Sequence, residues 1–449
     1  MQPKVSMVVP CYNKEKWIGD MLKSVLSQSW DNIELILVND GSTDCTREII
    51  DEYTQKIITR GYELLVIDQE NQGVAAAVRN GLERITGEFV CMPDCDDELA
   101  PDYVKTMAGW LWEHPDDQWV VCDMDSRTWD YPCITGDCDN NTGYEKYPFR
   151  LLESYIFDRI CRSVCLMMVR VSYFNECRIL ESFHIDTRVT QEPQIYIPLI
   201  LGGEKPVLIH KKLYNYHLRE SSTMRSLRTY EDRIIFEFQY DSLIKAVLSS
   251  RKTLSEKDIA IMNIGSHIHR VNFRCTMKGE HECEDDSRDL INLVNSYFSD
   301  TENEINVEKA ICIDYSVLAK HVTDTLIGIS PQKWNRKENG RMIAYAAFGK
   351  AARRVKTLLL ESAIKPDVFW DKEAYVGDTI GGVPVVKPDF GSLMPDDTVL
   401  ILLTSQTLVK EISDQIAAVS VSSEVWYFDD VQEYLAKSLF IHRRTTIIR

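Results

Sequence analysis

The sequence predicts an α/β protein with more than one domain, and three observations support this. An apolar strand that begins at Val5 runs into a polar loop and a helix, and a second strand ends in Asn39-Asp40-Gly41-Ser42. A further short strand from Gly87 to Val90 leads into Asp94-Cys95-Asp96-Asp97, and a second β-α-β pattern begins near Asn339. Open α/β sheets bind nucleotides outside the carboxyl ends of their strands. The first part of the chain is therefore predicted to be a nucleotide-binding domain.

The acidic run Asp94 to Asp97 places three carboxylates within four residues. Crowded carboxylates repel one another, so such a run indicates a bound cation or a solvated turn. Its place directly after an apolar strand favours the cation. The alternative is an acidic turn that closes the strand.

These motifs resemble those of glycosyltransferase family 2, the inverting nucleotide-sugar transferases of GT-A fold. Pro10-Cys11-Tyr12-Asn13 matches the P-x-Y-N that follows the family's first strand, Asp40 to Asp44 matches its D-G-S-T-D run, and Asp94 to Asp97 matches its D-x-D-D metal motif. The resemblance spans Pro3 to Met224. It implies transfer of a sugar from a nucleotide donor, UDP-linked, to a hydroxyl of a saccharide or lipid-linked saccharide in bacterial surface glycan synthesis.

The resemblance also assigns roles at the donor site, with Mn²⁺ or Mg²⁺ as the cofactor. Asp96 is the expected metal ligand, Asp94 meets the ribose or the sugar, and Asp97 supports the metal shell or the sugar hydroxyls. Asp40 accepts a hydrogen bond from the ring N–H of the base, and Tyr12 lies close to that ring. The donor-binding residues that the resemblance implies are Pro10, Tyr12, Asn13, Asp40, Arg79, Asp94, Asp97 and Arg219.

An inverting transfer needs a base that takes the proton of the acceptor hydroxyl. The family carries this base as the Asp of an E-D pair at the start of a helix, and this chain has Gln191-Glu192 there. Glu192 is therefore the expected base, with a side chain one methylene longer than that of Asp. The alternative is a carboxylate that only stabilises a helix N-terminus.

Two residues after the last predicted strand of this domain are further candidates. His217 lies where the family often places a residue that touches the diphosphate or the metal, and we predict it as a metal ligand. Arg219 is expected to bring a mobile positive charge to the leaving phosphates. A structural role for His217 is the alternative.

One departure from the family pattern concerns the donor. Relatives carry A-R-N-x-G after an N-x-G turn, whereas this chain reads Ala77-Val78-Arg79-Asn80-Gly81. Counted from Gly81, Val78 replaces the usual Arg and Arg79 replaces the usual Asn. The sugar carried by the donor is therefore not inherited from relatives.

Composition excludes some partners. The 449 residues include 51 Lys and Arg against 69 Asp and Glu, a net charge of -18, which disfavours nucleic acid as a partner. The 13 cysteines contain no C-x-x-C pair, which favours a reduced, cytoplasmic protein. Neither a signal peptide nor a membrane span is expected. The tail from Leu439 to Arg449 mixes apolar and basic residues, so it either contacts the inner face of the cell membrane or is a packed or frayed end.

The rest of the chain predicts two further regions. Residues 226–338 contain amphipathic helical patterns and residues 339–449 a small Rossmann-like α/β domain, after a GT-A domain over 1–225. The glycine loop of the last domain departs from the G-x-G-x-x-G pattern of dinucleotide-binding sites, since Ala347 to Ala352 has a single glycine. Two alternatives to a glycosyltransferase stay open. One is a non-catalytic GT-A protein that binds nucleotide-sugars beside a partner enzyme, and the other is a redox or epimerising enzyme centred on the last domain.

Overall fold

The computed structural model divides into two compact units, Met1–Ser255 and Glu256–Arg449. It describes residues 2–125, 143–183, 190–217, 230–279, 284–298, 305, 307–310, 313–327, 340–419 and 423–440. The α/β class is confirmed, with one sheet in each unit. The three-part division 1–225, 226–338 and 339–449 stays a prediction, although the first predicted helix of the middle region belongs to the first unit.

The first unit is built on one mixed sheet. Its strands are β1 (Val5–Cys11), β2 (Ile33–Asp40), β3 (Glu63–Gln69), β4 (Phe89–Cys91), β5 (Glu98–Leu99), β6 (Trp119–Asp125), β7 (Tyr144–Lys146), β8 (Met167–Arg170) and β9 (Val207–Asn215). The order along the sheet is β3-β2-β1-β4-β8-β6-β9-β5, and β7 pairs with β9. Strands β1 to β4 are parallel, and β8 is antiparallel to both β4 and β6. The carboxyl ends of β1, β2 and β4 therefore lie at one edge.

The helices of the first unit are α1 (Ile18–Leu26), α2 (Thr46–Arg60), α3 (Val74–Leu82), α4 (Tyr103–Glu113), α5 (Leu151–Ile156), α6 (Val171–Glu176), α7 (Glu192–Leu201) and α8 (Tyr230–Arg251). Helix α3 lies close to the sheet at Gly81. A Cβ built there would come within 2.4 Å of a Val8 methyl carbon and 3.1 Å of a Val38 one. Only glycine allows this approach without a shift of the strands, which explains the residue at this position.

The central strand β2 is buried along its whole length, as expected for a strand covered on both faces. The buried acid near its start, Glu34, is paired on both oxygens. The Glu34 carboxylate accepts hydrogen bonds from the Ser6 hydroxyl at 2.6 Å, from the Thr86 backbone N–H at 3.0 Å and from the Thr86 hydroxyl at 2.5 Å. A buried carboxylate is tolerated only with such partners, so Glu34 fastens β1, β2 and the turn before β4 together.

The second unit contains a smaller sheet among helices. Its helices are α9 (Glu256–Lys278), α10 (Glu284–Phe298), α11 (Val307–Ala310), α12 (Tyr315–Ile327), α13 (Lys350–Glu361), α14 (Gln406–Val419) and α15 (Phe428–Phe440). Its strands are β10 (Met342–Tyr345), β11 (Val368–Trp370), β12 (Thr379–Ile380), β13 (Val383–Val386), β14 (Thr398–Ile401) and β15 (Glu424–Tyr427).

The order of this sheet is β12-β13-β11-β10-β14-β15, and all neighbours are parallel except β12 and β13. Without the short β12, the strands follow the order 3-2-1-4-5 of a doubly wound fold. Helix α13 begins at Lys350, so the predicted turn over Gly349 to Ala352 is shorter than the sequence indicated. No helix in the described parts of the chain is long and apolar enough to cross a membrane.

Candidate active site

The loops that follow β1 and β2 are joined through Asn13. This residue has a φ of 52°, in the left-handed region that Asn tolerates better than most residues. Its side-chain oxygen accepts a hydrogen bond from the Thr43 N–H at 2.8 Å, and its backbone N–H donates to the Ser42 hydroxyl at 3.1 Å. Asn13 therefore holds the two loops side by side at the edge of the sheet. The neighbouring Tyr12 ring is 43% exposed, so one face of this edge is open to a flat ligand.

Asp40, at the end of β2, is buried and already holds three hydrogen bonds. Its carboxylate accepts from the backbone N–H groups of Gln72 and Gly73, both at 2.9 Å, and from the Gln69 side chain at 2.8 Å. Two of these donors belong to the turn that begins α3. Because a carboxylate offers about four acceptor positions, one remains for a further donor. The predicted contact with a base N–H is compatible with this arrangement and stays a prediction.

The acidic motif after β4 is held by β9. The backbone N–H of Asp94 donates to the Tyr214 hydroxyl at 3.0 Å, and that hydroxyl donates to Asp97 at 2.9 Å. The second Asp97 oxygen accepts from the backbone N–H of His217 at 2.8 Å. Residues from opposite parts of the sequence are thus brought together as the resemblance implies.

Burial and mutual repulsion raise the pKa values of two of these carboxyl groups. Burial is the larger cause for Asp94, with repulsion from Asp96 added, and its pKa rises to about 7. The same two effects, burial first and then repulsion from Asp94, raise the pKa of Asp97 to about 8. Both carboxyl groups therefore retain protons in part near neutral pH, and a cation bound beside them would favour their ionised forms.

Lys14 provides one positive charge at this motif. Its ammonium lies 2.6 Å from an Asp96 oxygen, and the two side chains are only 22% and 17% exposed. Burial opposes the charged form of Lys14, but the charge of Asp96 outweighs it, so the lysine pKa is raised. Lys14 is therefore charged where it meets Asp96.

Among the described residues, no described contact joins the His217 ring to Asp96. Its Nε2 lies 2.7 Å from an oxygen of Glu98, the residue that follows the motif. His217 thus contributes its backbone N–H to Asp97 and its ring to Glu98. Its predicted role as a metal ligand stays a prediction, and it requires the ring to leave Glu98.

Glu192 begins α7, followed by Pro193 in the first turn. One oxygen of its carboxylate, Oε2, is buried and has no hydrogen-bond partner in the described part of the chain. Burial, with a smaller contribution from the Asp94 charge, raises the pKa of Glu192 to about 7. A buried acceptor without a partner is costly, so a site that retains one has a proton or a ligand to receive.

The surroundings of Glu192 are aromatic. Tyr196, one turn further along α7, packs on Tyr155 with ring centroids 5.3 Å apart. The Tyr155 hydroxyl lies 2.8 Å from that of Tyr240 on α8, and both are buried. The Arg162 guanidinium covers the Tyr240 ring at 4.9 Å and pairs with Asp158. Within this cluster, the positive charge of Arg162 acts on Glu192 and favours its ionised form.

Comparison with known proteins identifies the domain. Residues 6–177 match the family model described as Glycosyl transferase family 2. The chain contains a glycosyltransferase family 2 domain. The prediction made from the three motifs is thereby confirmed, and the matched segment runs from β1 to the last turn of α6.

Two curated relatives carry the same domain. The chain is 29% identical over 226 residues to Glycosyltransferase GlyA of Streptococcus pneumoniae serotype 4, covering 49% of this chain and 32% of that relative. It is 28% identical over 235 residues to Glycosyltransferase GlyG of the same organism, covering 50% of this chain and 74% of that relative. The match therefore spans about a third of the first relative and about three quarters of the second.

Among solved structures, the chain aligns with S. aureus TarS 1-349 in complex with UDP-GlcNAc. The TM-score is 0.44 at 20% identity, covering 72% of this chain and 86% of that one. A superposition this loose says nothing about the ligand of the present family 2 domain.

The donor chemistry of the site suits a hard divalent cation, although no three ligating side chains of the described residues converge on one point. Mg²⁺ is commonly held by one or two carboxylates together with substrate phosphates. Asp96, and Asp94 or Asp97 beside it, offer such carboxylates, and the Lys14 ammonium on an Asp96 oxygen shows that a positive charge fits there. The residues of the family 2 domain are therefore compatible with Mn²⁺ or Mg²⁺ that arrives with the donor.

Two predicted donor residues, Arg79 and Pro10, have no described contact with the acidic motif. Arg79 pairs with Glu83 on α3, with 3.0 Å between Nε and the carboxylate, and Val78 is buried. Arg219 lies outside the described residues. Pro10 is part of β1, opposite Val38 of β2.

Sequence reasoning missed three residues of the site. Lys14 follows the P-x-Y-N motif directly and could have been found from that position. Tyr214 and Tyr240 carried no such signal, because their contacts depend on the pairing of β9 and on the packing of α8 against α7.

Proposed function

We propose that this chain is a metal-dependent inverting glycosyltransferase that moves a sugar from a nucleotide donor to a hydroxyl acceptor. The observation that carries the proposal is the Glu192 carboxylate. Its buried oxygen Oε2 has no hydrogen-bond partner in the described part of the chain, and burial, with a smaller contribution from the Asp94 charge, raises its pKa to about 7. A base of this kind beside a donor-binding acidic motif is what an inverting displacement requires.

The reaction then proceeds by a single displacement. The acceptor oxygen forms a bond to the anomeric carbon while the bond from that carbon to the donor phosphate breaks, and Glu192 takes the acceptor proton. A bound Mn²⁺ or Mg²⁺ would offset the charge of the departing diphosphate. Asp96 would hold the cation, Asp94 would meet the ribose or the sugar, and Asp97 would support the metal shell or the sugar hydroxyls. The Tyr214 hydroxyl accepts a hydrogen bond from the Asp94 backbone N–H and donates one to the Asp97 carboxylate, which keeps these two residues in place.

The donor is proposed to be UDP-linked, with a saccharide or lipid-linked saccharide acceptor in a surface glycan. Both choices rest on the resemblance of the sequence motifs to the family. The open edge beside Tyr12 and the remaining acceptor position on Asp40 are compatible with a pyrimidine base.

The proposal is tested by thermal unfolding of the full chain with UDP and with GDP, each with and without Mn²⁺. Specific binding to the native state raises the melting temperature. We expect UDP to do so only with Mn²⁺ present, and Asp96→Ala to abolish the shift. Asp116→Asn, which changes an exposed acid far along the sequence from the motif, is the matched control. A metal-dependent shift that survives in Asp96→Ala would contradict the assignment of the metal ligand.

Transfer itself is measured as UDP release from UDP-sugars in the presence of candidate acceptors. Nucleotide binding without release from any donor and acceptor pair would instead favour a nucleotide-sugar-binding protein that acts with a partner enzyme.

A further inference from the structure

Lys14 is held at its backbone by Thr46 and at its ammonium by Asp96. Its backbone N–H donates to the Thr46 hydroxyl at 2.7 Å, which fixes the start of α2 against the loop after β1. The ammonium sits at the end of a four-carbon stem, 2.6 Å from Asp96 and 5.4 Å above the centre of the Trp17 ring. A lysine stem reorients without any change of the backbone.

The ammonium and a divalent cation are incompatible at Asp96. A hard cation binds carboxylate oxygen at about 2.0–2.6 Å, the same region that the Lys14 ammonium already fills. At such a short distance in a partly buried site, the ammonium and the divalent cation would repel each other strongly. Binding of a cation by Asp96 therefore requires the Lys14 ammonium to leave.

A new partner for the displaced charge arrives with the same ligand. The diphosphate of the donor brings negative charge to the carboxyl ends of β1, β2 and β4. The other positive side chain predicted for the donor, Arg79 on helix α3, is paired with Glu83 in the described structure. Its guanidinium is therefore directed to Glu83.

We propose that Lys14 occupies the cation position at Asp96 in the donor-free protein and moves to the donor diphosphate when metal and nucleotide bind. The inference rests on the proposed function, since it requires a metal and a nucleotide at this site. Lys14 thereby makes metal binding without nucleotide unfavourable and metal binding with nucleotide favourable. Metal and nucleotide then bind as one unit.

The test compares Lys14→Met with Lys16→Met, which removes the same charge from an exposed neighbour two residues away. Binding of Mn²⁺ alone is measured from the electron paramagnetic resonance of free Mn²⁺, and binding of UDP at saturating Mn²⁺ by calorimetry. We expect Lys14→Met to bind Mn²⁺ alone more tightly than the parent, and to bind UDP with Mn²⁺ about tenfold or more weakly, the size of a lost charged hydrogen bond. Lys16→Met should match the parent in both measurements.

The inference is overturned if Lys14→Met leaves either affinity unchanged, because the lysine would then be only a structural partner of Asp96. Lys14→Gln keeps a hydrogen-bond donor without the charge, and it should shift both affinities in the same directions if Lys14→Met does not fold. A parent protein that binds neither Mn²⁺ nor UDP would show that the proposed function is wrong, and the inference would fall with it. If the parent binds Mn²⁺ and UDP, and Lys14→Met and Lys14→Gln bind them with the same affinities, the inference is overturned and the proposed function stands.

Discussion

Glu192 combines two opposing influences on one carboxylate. The start of a helix favours the charged form through the backbone dipole, whereas burial favours the neutral form. Pro193 has no N–H, so the first turn of α7 offers one fewer donor to the side chain. Burial prevails and brings the pKa to about 7. The carboxylate is thereby basic enough to accept a proton and still ionised in part at neutral pH.

Glu192→Gln keeps the shape of the side chain and removes its ability to accept a proton. We expect kcat to fall about a hundredfold or more, within the usual range for loss of a general base, while the affinity for UDP with Mn²⁺ stays unchanged. Steady-state transfer assays and calorimetry measure the two quantities. Glu176→Gln, an exposed acid on α6, is the control. Near-parental turnover in Glu192→Gln would mean that a different residue is the base.

The pH dependence has a definite sign. The ionised form of Glu192 is the active one, so kcat/KM should fall as the pH drops below about 7 and level off above it. The contribution of Glu192 to stability has the opposite pH dependence. Its pKa in the folded state lies above the reference value of 4.5, so the folded state holds the proton more tightly. The contribution of this group to stability is present below pH 4.5 and is lost as the pH rises through 7.

The pH dependence of kcat/KM and the pH dependence of stability should both weaken in Glu192→Gln. A pH profile of kcat/KM and urea unfolding at pH 5 and pH 8 would measure them. An acidic limb of kcat/KM that remains in Glu192→Gln would assign the titrating group to another residue.

At the scale of elements, the sequence predicted the donor side better than the acceptor side. The P-x-Y-N, D-G-S-T-D and D-x-D-D runs each follow a strand directly, so placing β1, β2 and β4 also placed their residues. Tyr214 lies at the end of β9, and its contact with Asp97 depends on a strand pairing that local pattern does not encode. Arg79 was assigned from a motif whose register is shifted here, and its contact with Glu83 was not visible in the spacing.

Helix α8 shows the same limit. Its amphipathic pattern predicted a helix over Thr229 to Ser250, close to the observed Tyr230–Arg251, but it was assigned to a separate middle region. In the structure, α8 packs on α7 and brings the Tyr240 hydroxyl within 2.8 Å of that of Tyr155. Amphipathicity indicates that a helix has a partner and does not identify it.

We expect the Tyr155 and Tyr240 hydroxyls to be strongly coupled. Removal of either one leaves the other buried with a lost partner, so Tyr155→Phe and Tyr240→Phe should each destabilise the protein by about 1–3 kcal/mol. The double variant should cost clearly less than the sum, because no hydroxyl of the pair then remains. Urea unfolding of the parent, both single variants and the double variant measures this. Simple additivity would contradict the coupling.

At the scale of the whole molecule, the two units differ in the candidate sites and sheets that they contain. The candidate active site lies within Met1–Ser255, whereas Glu256–Arg449 carries a doubly wound sheet of its own. The single glycine of its loop, Gly349, lies directly before helix α13, and the role of this unit stays a prediction. The net charge of -18 belongs to the full chain and leaves the donor phosphates to local cations such as Lys14.

The division between units predicts where the chain can be shortened. A chain that ends at Ser255 keeps α8, and with it the buried side chains Leu243, Ile244, Val247 and Leu248. We expect it to fold and to be stabilised by UDP with Mn²⁺. A chain that ends at Arg225 lacks these side chains, each worth about 1.5–3 kcal/mol of burial, against a total stability of about 5–15 kcal/mol. It should be unfolded or only marginally stable.

Circular dichroism and thermal unfolding distinguish the two shortened chains. Equal stability of both would support a domain that ends near residue 225. Loss of UDP binding in a folded chain that ends at Ser255 would show that the second unit takes part in the donor site.

The matched family segment ends at Cys177, before Glu192, Tyr214 and Tyr240. The acidic motif lies inside the matched segment, but the tyrosine hydroxyl that joins Asp94 to Asp97 lies beyond it, on β9. A chain cut at Cys177 would therefore keep the three sequence motifs and lose the strand that orders the last of them.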